Sequence, residues 1–431
     1  MTTPIHDMIG IGFGPANLAI AIAMDESPQA QHLDCCFIEK QPEFEWHGGM
    51  LLANTHLQVS FLKDLVTLRD PTSRFSFINY LHEKQRLNAF INMGTFFPNR
   101  LEYNDYLRWA ARAFDDRVHY AETVIAVEPE ATGADGGVDV LVVRSRRDDG
   151  TVIARRAREV VVGIGGQPKI PEVFMPHRED PRVIHSAWYG TCRARFDGPS
   201  PRLAVIGAGQ SGAEIFRNLM DRYPEGEVDL ISRDAALHPS DDSPFVNEIF
   251  DPEFTDRVYN SSPATQHALL EKFRHTNYSV VDLPLIDELY RRLYHQEVTG
   301  ARRHAFLPYR NIAAVESAGE RIRLNLIDTR TQRPVWVDYD GVVLATGYHR
   351  QGHLELLSAL RPWMTGESVT RDYRVPMTPE CRARIFLQGC CEETHGLADT
   401  LLSILAVRSR EVVAALTQNH RETTTLRQTG S

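Results

Sequence analysis

The sequence predicts an α/β protein with two dinucleotide-binding, Rossmann-like folds and a helical insertion in the second fold. Two observations predict the folds: a glycine-rich turn between a strand and a helix occurs near the N-terminus and again in the middle of the chain. The helical pattern of residues 241–299 predicts the insertion. The chain has 431 residues, and single cores usually stop growing near ~250–300 residues, so two folds are expected.

The first glycine-rich turn, GFGPAN, lies at residues 12–17 between a predicted strand at 6–11 and an apolar helix. Its glycines allow a tight bend and the close approach of a pyrophosphate, which then lies on the helix N-terminus. A second strand at 33–38 ends in Glu39, whose carboxylate can accept both hydroxyls of a ribose. Asn17 replaces the third glycine and requires slightly more room between helix and strand. The predicted cofactor-binding residues are Gly12, Gly14, Asn17 and Glu39.

The second turn, GAGQSG at residues 207–212, follows a predicted strand at 203–206 and precedes a helix at 213–221. The next strand, at 228–232, ends in Arg233, where the first fold has its glutamate. A guanidinium pairs with a 2′-phosphate that a carboxylate would repel, so the first site is FAD-like and the second NADPH-like. The alternative is that Arg233 is a solvated charge. The predicted nucleotide-binding residues are Gly207, Gly209, Gln210, Ser211 and Arg233.

The remaining segments complete these two folds. An amphipathic helix is predicted at residues 102–114, hairpin strands at 118–127 and 138–143, a buried strand at 160–164 and a final helix at 401–416. The motifs GGQP at 165–168 and ATGY at 345–348 mark the points where the chain crosses between folds. The predicted domains are an FAD fold at 1–190 and 346–431, an NADPH fold at 191–240 and 301–345, and the insertion at 241–300.

Composition and charge exclude several classes of protein. The formal net charge of −10, without a basic block, argues against nucleic-acid binding and disfavours anionic membranes. The longest early apolar run, residues 18–24, is far short of the ~20 residues that a membrane span needs, and the N-terminus lacks a signal-peptide pattern. We therefore expect a cytoplasmic protein.

The six cysteines include two vicinal pairs, Cys35–Cys36 and Cys390–Cys391, but no CxxC motif or Cys/His cluster. We interpret both pairs as small hydrophobic residues in strands, and we expect no metal site. A disulfide reductase, which also joins FAD and NADPH folds, needs a redox-active cysteine pair near the first FAD helix or within the second fold.

Several longer blocks carry a family resemblance. They are WHG at 46–48, QVSFLKDL at 58–65, NDYLRW at 104–109, DSPFVNE at 242–248, TNYSVVD at 276–282 and HGL at 395–397. Together with the first glycine turn, they resemble the microbial N-hydroxylating flavoprotein monooxygenases, and most closely the L-ornithine N(5)-monooxygenases of hydroxamate siderophore pathways. The resemblance extends over nearly the whole chain, from residue 5 to residue 413.

The resemblance implies the cofactors and the reaction. In such enzymes NADPH reduces FAD, molecular oxygen adds to give a flavin C(4a)-hydroperoxide, and the substrate amine attacks its distal oxygen. The product from L-ornithine is N(5)-hydroxy-L-ornithine. The protein supplies positioning and exclusion of water rather than a nucleophile, so no catalytic triad is expected.

The resemblance also implies the residues of the substrate site. An amine has a pKa of ~10.4 in water, so removing its proton at pH 7 costs roughly 4–5 kcal/mol, and a carboxylate beside it would deepen that cost. The family places amides and hydroxyls there, at positions that match Asn247, Asn277 and Ser403. Asn277 is expected to bridge substrate, flavin and nicotinamide. Alternatively, Asn277 caps the turn before the helix at Asp282, and Asn247 begins a helix.

Lys63 matches the family lysine that meets the substrate carboxylate, although lysine at a surface is usually a solvated charge. For the flavin the resemblance adds Trp46, His47 and Gln58, of which Trp46 and His47 could equally be packing residues. For the nicotinamide cofactor it adds Ser243.

Other functions remain open from the sequence. Within the same chemistry the substrate could be L-lysine or a diamine such as putrescine or cadaverine. Different classes are a non-hydroxylating FAD/NADPH oxidoreductase and a flavin-binding sensor or partner module without turnover. The partner is expected to be a small amine, with no nucleic acid or membrane, and a homodimer or homotetramer is left open.

Overall fold

The computed structural model describes residues 4–130, 137–196, 198–366 and 368–429, and for residues 419–429 it describes the backbone alone. In chain order, strands β1 to β19 are Ile5–Ile11, Cys35–Ile38, Val118–His119, Glu122–Glu130, Val140–Arg147, Val152–Val162, Gln167–Pro168, Val183–His185, Arg202–Ile206, Glu227–Ile231, His238–Pro239, Val280–Val281, His304–Leu307, Arg310–Ala318, Arg321–Asp328, Pro334–Tyr339, Gly341–Leu344, Tyr348–His349 and Arg384–Leu387. Helices α1 to α13 are Pro15–Asp25, Phe77–Glu83, Leu87–Met93, Arg100–Ala111, Tyr189–Cys192, Gln210–Arg222, Pro244–Asn247, Pro252–Tyr259, Pro263–Phe273, Leu283–Thr299, Gly352–Leu356, Glu392–His395 and Leu405–Thr429.

The first sheet is built around the long strand β6. One edge of β6 pairs in parallel with β1, and the order continues through β2 to β3. The other edge pairs with β5 over its first half and with β19 over its second half. The second half of β6 is fully buried, as a parallel strand covered on both faces should be. Helix α13 packs against α1, so both ends of the chain contribute to this fold.

The second sheet has the parallel order β13-β10-β9-β17-β8. Helix α6 follows β9 and buries one amphipathic face, which includes Ile215, Phe216 and Leu219, against this sheet. An antiparallel meander, β14-β15-β16, packs on the other side. Since β8 pairs with β17, residues 183–185 lie in the second sheet, although the sequence assigns residues up to 190 to the first fold.

The insertion consists of α7, α8, α9 and α10. It is tied to the second fold by the short parallel pair of β11 with β12, and β12 is buried. The two crossing segments also pair, because β7 and β18 form an antiparallel ladder between the two main sheets. In the described part of the chain, no helix is both long and apolar enough to span a membrane.

The predicted fold class is confirmed: two dinucleotide-type folds and a helical insertion are present. The exact domain boundaries stay a prediction. Cys35 and Cys36 lie in β2, as expected. The interpretation of Cys390 and Cys391 as strand residues is wrong, because β19 ends at Leu387 and Gly389, at φ +74°, turns the chain toward α12.

Candidate active site

The first glycine turn has the geometry of a phosphate site. Gly12 has φ +81°, and a Cβ there would lie 2.6 Å from the carbonyl oxygen of Gly163, so only glycine fits. Gly14 begins α1 and has open space beside it, with no atom within 4 Å of a Cβ. No acidic side chain lies in the first turn of α1, and no side chain caps it. The unpaired N–H groups therefore fit a dinucleotide phosphate.

Glu39 lies at the end of β2, where the sequence predicts the ribose-binding carboxylate. Its Oε2 accepts a hydrogen bond from the N–H of Phe13 at 2.6 Å, and its Oε1 accepts one from the N–H of Gln41 at 2.9 Å. These bonds fix the carboxylate beside the turn. Each oxygen keeps a second lone pair, so Glu39 can still accept ribose hydroxyls.

Asn17 is fully buried and its side chain belongs to the protein core. Its Nδ2 donates to the carbonyl oxygens of Ile11 and Gly12, at 3.1 and 2.7 Å, and its Oδ1 accepts from Gln388 at 2.8 Å. The sequence requires extra room for Asn17 between helix and strand. Gly163 provides this room, because a Cβ on Gly163 would lie only 2.9 Å from the side chain of Asn17. Any contact of Asn17 with a phosphate is therefore left to its backbone N–H.

The second glycine turn repeats this geometry more tightly. Gly207 has φ +116°, and a Cβ there would lie 2.3 Å from the carbonyl oxygen of Ala345. Gly209 precedes α6, which also starts without a side-chain cap or an acidic first turn. Ser211 lies in that first turn. The residues of both turns thus fit the two dinucleotides that the sequence predicts.

Arg233 follows β10 and its side chain is exposed. Within the described residues, no carboxylate lies within 4.0 Å of its guanidinium and no hydrogen bond engages it. Its donors are therefore available to a phosphate group.

A large cavity of about 2770 Å³ lies at the carboxyl ends of strands β8, β9, β10 and β17. The other sides of the cavity are formed by the insertion and by residues 390–403. The predicted site residues on its wall are Trp46, His47, Gln58, Lys63, Gly207, Gly209, Gln210, Ser211, Arg233, Ser243, Asn247, Asn277 and Ser403. Gly12, Gly14, Asn17 and Glu39 do not line it and lie beyond the carboxyl ends of β1 and β2 in the first sheet. The wall thus joins the second nucleotide turn to the predicted substrate residues.

Trp46 and His47 occupy the side of the cavity nearest the first sheet. The backbone N–H of Trp46 donates to Oδ1 of Asn104 at 2.9 Å. The rings of Trp46 and His47 meet edge to face, with their centroids 5.0 Å apart. His47 has φ 51°, a left-handed conformation that directs its ring into the cavity. Desolvation within the cavity, assisted by the positive charges of Arg100 and Arg350, lowers the pKa of His47, although the residue is exposed at the cavity wall. Its imidazole is therefore neutral at physiological pH.

Lys63 connects the first fold to the insertion. Its Nζ lies 3.6 Å from Oδ1 of Asp251, which precedes α8, and its side chain is 26% exposed. Asn247 is the last residue of α7, not the first, and its Nδ2 donates to the carbonyl oxygen of Asp242 at 2.9 Å. Ser243 precedes the same helix.

Ser403 provides an unsatisfied polar group at the cavity wall. The residue is 3% exposed, and its Oγ is buried without a hydrogen-bond partner in the described structure. Since buried hydroxyls are usually paired, this hydroxyl is available for a hydrogen bond to a bound molecule.

Asn277 lies between the short 3₁₀ turn Arg274–Thr276 and β12. Within the described residues its side-chain amide makes no hydrogen bond, and the helix that follows is preceded by Asp282, not by Asn277. The capping alternative therefore finds no support. The next residue, Tyr278, donates its hydroxyl to Oε2 of Glu392 at 2.7 Å.

Sequence reasoning missed Glu392, Arg350 and Cys390, which also line the cavity. Burial raises the pKa of Glu392, although the hydrogen bond from Tyr278 opposes this shift. Hydrogen bonds from the thiol of Cys391 and the imidazole of His353 lower the pKa of Cys390. Their positions beside the ATGY and HGL motifs are the sequence signal that could have identified them as site residues.

The geometry defines an oxidoreductase of the class that has two dinucleotide-binding folds, with the second nucleotide turn opening into the cavity. The chain matches the family model for L-lysine 6-monooxygenase/L-ornithine 5-monooxygenase over residues 4–350. It is 50% identical over 401 residues to an L-ornithine N(5)-monooxygenase of Burkholderia cepacia, covering 91% of this chain and 90% of the relative.

Solved structures give the same result. The ornithine hydroxylase of Pseudomonas aeruginosa has a TM-score of 0.93 and 46% identity, with 96% of this chain and 99% of that chain covered. The ornithine N-hydroxylase of Kutzneria sp. 744, with reduced FAD, NADP⁺ and L-ornithine, has a TM-score of 0.91 and 39% identity, with 97% and 100% covered. The chain therefore belongs to the L-lysine 6-monooxygenase/L-ornithine 5-monooxygenase family.

Proposed function

We propose that this protein is an NADPH- and oxygen-dependent flavoprotein monooxygenase that converts L-ornithine to N(5)-hydroxy-L-ornithine. The observation that carries the proposal is the cavity of about 2770 Å³, which joins the second nucleotide turn to the insertion in a chain of this family. Bound FAD, after reduction by NADPH, supplies the activated oxygen. The product is a hydroxylamine suited to hydroxamate siderophores or related natural products.

The chain's own residues have three tasks. The two glycine turns, with Glu39 and Arg233, bind the dinucleotides and select between an unphosphorylated and a 2′-phosphorylated ribose. Lys63 binds the substrate carboxylate, and it can exchange its weak pairing with Asp251 for this contact. Both partners are partly solvated, so such an exchange costs little.

The third task is to hold the amine neutral and close to the reacting atoms. Asn247, Asn277 and Ser403 offer amide and hydroxyl groups that accept or donate without favouring the cation. The carboxylate of Glu392 is engaged by the hydroxyl of Tyr278, which donates a hydrogen bond to its Oε2. The neutral imidazole of His47 adds no charge.

The test is hydroxylamine formation by the FAD-loaded protein with NADPH and four amines: L-ornithine, L-lysine, putrescine and cadaverine. We expect product from L-ornithine at the highest kcat/KM. Faster hydroxylation of a diamine would overturn the carboxylate role of Lys63, and faster hydroxylation of L-lysine would overturn the substrate assignment. Oxidation of NADPH without hydroxylamine from any amine would favour a non-hydroxylating oxidoreductase.

We also propose a cellular compartment and an assembly for the protein. The protein acts in the cytoplasm, and it assembles as a homodimer or homotetramer. Size-exclusion chromatography with light scattering measures the assembly directly.

A further inference from the structure

Asp282 lies where the second nucleotide turn meets the segment that carries Asn277. The side chain of Gln210, within the turn, donates from Nε2 to Oδ2 of Asp282 at 3.0 Å. The backbone N–H of Asp282 donates to Oε1 of the same glutamine at 2.9 Å. This pair of bonds ties Gln210 and Asp282 together in both directions.

The carboxylate of Asp282 does not act as a helix cap. Asp282 precedes α10, but its side chain makes no hydrogen bond to the first turn of that helix. It instead accepts hydrogen bonds from Gln58 and Gln210, which lower its pKa, although burial raises the pKa more. The residue before a helix usually caps it, but here its side chain bonds to Gln58 and Gln210 in other segments.

The connection continues into the first fold. Nε2 of Gln210 also donates to Oε1 of Glu214 at 2.8 Å, and Oε2 of Glu214 accepts from Arg100 at 2.8 Å. Glu214 is 2% exposed, and Arg100 begins α4. Polar contacts of this kind are strong where water is excluded.

The segment between Asn277 and Asp282 is short and restrained. Its strand β12 is buried, and the Cα of Ser279 lies 3.6 Å from the position of a Cβ on Gly209. A shift of the nucleotide turn therefore displaces this segment, and the bonds to Asp282 transmit the shift.

We propose that Asp282 is a positioning residue that couples nicotinamide-nucleotide binding at the second turn to the placement of Asn277. The inference rests on the proposed function for its readout of product. Because such coupling is reciprocal, NADP⁺ should order residues 276–282, and loss of the connection should weaken NADP⁺ binding and uncouple oxidation from hydroxylation.

The experiment uses the full FAD-loaded chain and three variants: Asp282→Ala, Gln210→Met, and the double variant. Hydrogen–deuterium exchange of residues 276–282 is measured with and without saturating NADP⁺. In the unaltered protein we expect NADP⁺ to slow exchange in this segment. In each single variant we expect that protection to be lost, and hydroxylamine per NADPH oxidised to fall roughly three- to ten-fold.

The double variant should be no worse than the worse single variant, because both remove one connection. Asp287→Ala is the matched control, since Asp287 lies on the same helix and pairs at 3.5 Å with the solvent-exposed Arg291. It should keep both the protection and the product yield. If Asp282→Ala does not fold, Asp282→Asn, which keeps the size of the side chain, takes its place, because Gln210 is itself a predicted nucleotide-binding residue.

Unchanged protection in the single variants, or losses that add in the double variant, would overturn the inference. Its failure is distinguishable from failure of the proposed function. If the unaltered protein forms no hydroxylamine from L-ornithine, the function is wrong, whereas exchange protection by NADP⁺ still tests the coupling.

Discussion

Replacing Arg233 with alanine tests the assignment of the second nucleotide site most directly. The guanidinium is exposed at the end of β10, and no carboxylate within the described residues pairs with it. Its loss therefore removes no folding contact, and the thermal stability of the variant should equal that of the unaltered protein.

The effect on binding follows from the same geometry. A hydrogen bond to a charged group contributes about 1.5–3 kcal/mol, and exposure to water places this contact at about 1.5–2 kcal/mol. That range corresponds to a roughly ten- to thirty-fold rise in the KM for NADPH. NADH lacks this phosphate, so its KM should stay within about two-fold.

The assay is anaerobic flavin reduction over a range of NADPH and NADH concentrations. Arg291→Ala is the control, because the side chain of Arg291 is 77% exposed and does not line the cavity. Equal losses for NADPH and NADH would refute the reasoning, since a 2′-phosphate contact cannot affect a nucleotide that lacks the group.

Three other substitutions test the site and the fold. Lys63→Ala should raise the KM for L-ornithine roughly ten-fold, with putrescine unaffected because it has no carboxylate; equal rises for both amines would contradict the assignment. Asn277→Ala should leave NADPH oxidation running with little hydroxylamine, and if the ratio of product to NADPH were unchanged, Asn277 would not position the reacting groups. Burial raises the pKa of Glu159 from 4.5 to about 7, although the ion pair with Arg384 opposes this shift, so its ionisation lowers stability as pH rises through that window. Glu159→Gln does not ionise but also loses the ion pair with Arg384, so the test is the pH dependence and not the absolute Tm. The Tm of the variant relative to the unaltered protein should rise between pH 5 and pH 8; a difference independent of pH would show that Glu159 does not titrate there.

The local patterns of the sequence were sufficient for the nucleotide turns. Gly12 and Gly207 both have positive φ and backbone oxygens within 3 Å of a Cβ position, so no other residue type fits. Glu39 and Arg233 follow their strands as predicted. These features depend on residues close together in the chain, which a one-dimensional pattern can represent.

Long-range contacts were not predictable in the same way. The pairing of Tyr278 with Glu392 joins residues 114 positions apart, and that of Gln210 with Asp282 joins residues 72 positions apart. The same limitation explains the error at Cys390 and Cys391, since the end of β19 depends on the turn at Gly389. Predicting each of these features requires the relative placement of separate elements of the fold.

By itself, the sequence determined the class of this protein: two dinucleotide folds, an insertion, and the residue types that distinguish FAD from NADPH. Backbone sterics and hydrogen bonding over short stretches are sufficient for these conclusions. Only the tertiary structure decided that Asn17 belongs to the core, that Ser403 has a buried unpaired hydroxyl, and that Asp282 is hydrogen-bonded to Gln210 of the nucleotide turn. These depend on side chains from distant segments meeting in three dimensions, where burial and partner geometry set the role of each group.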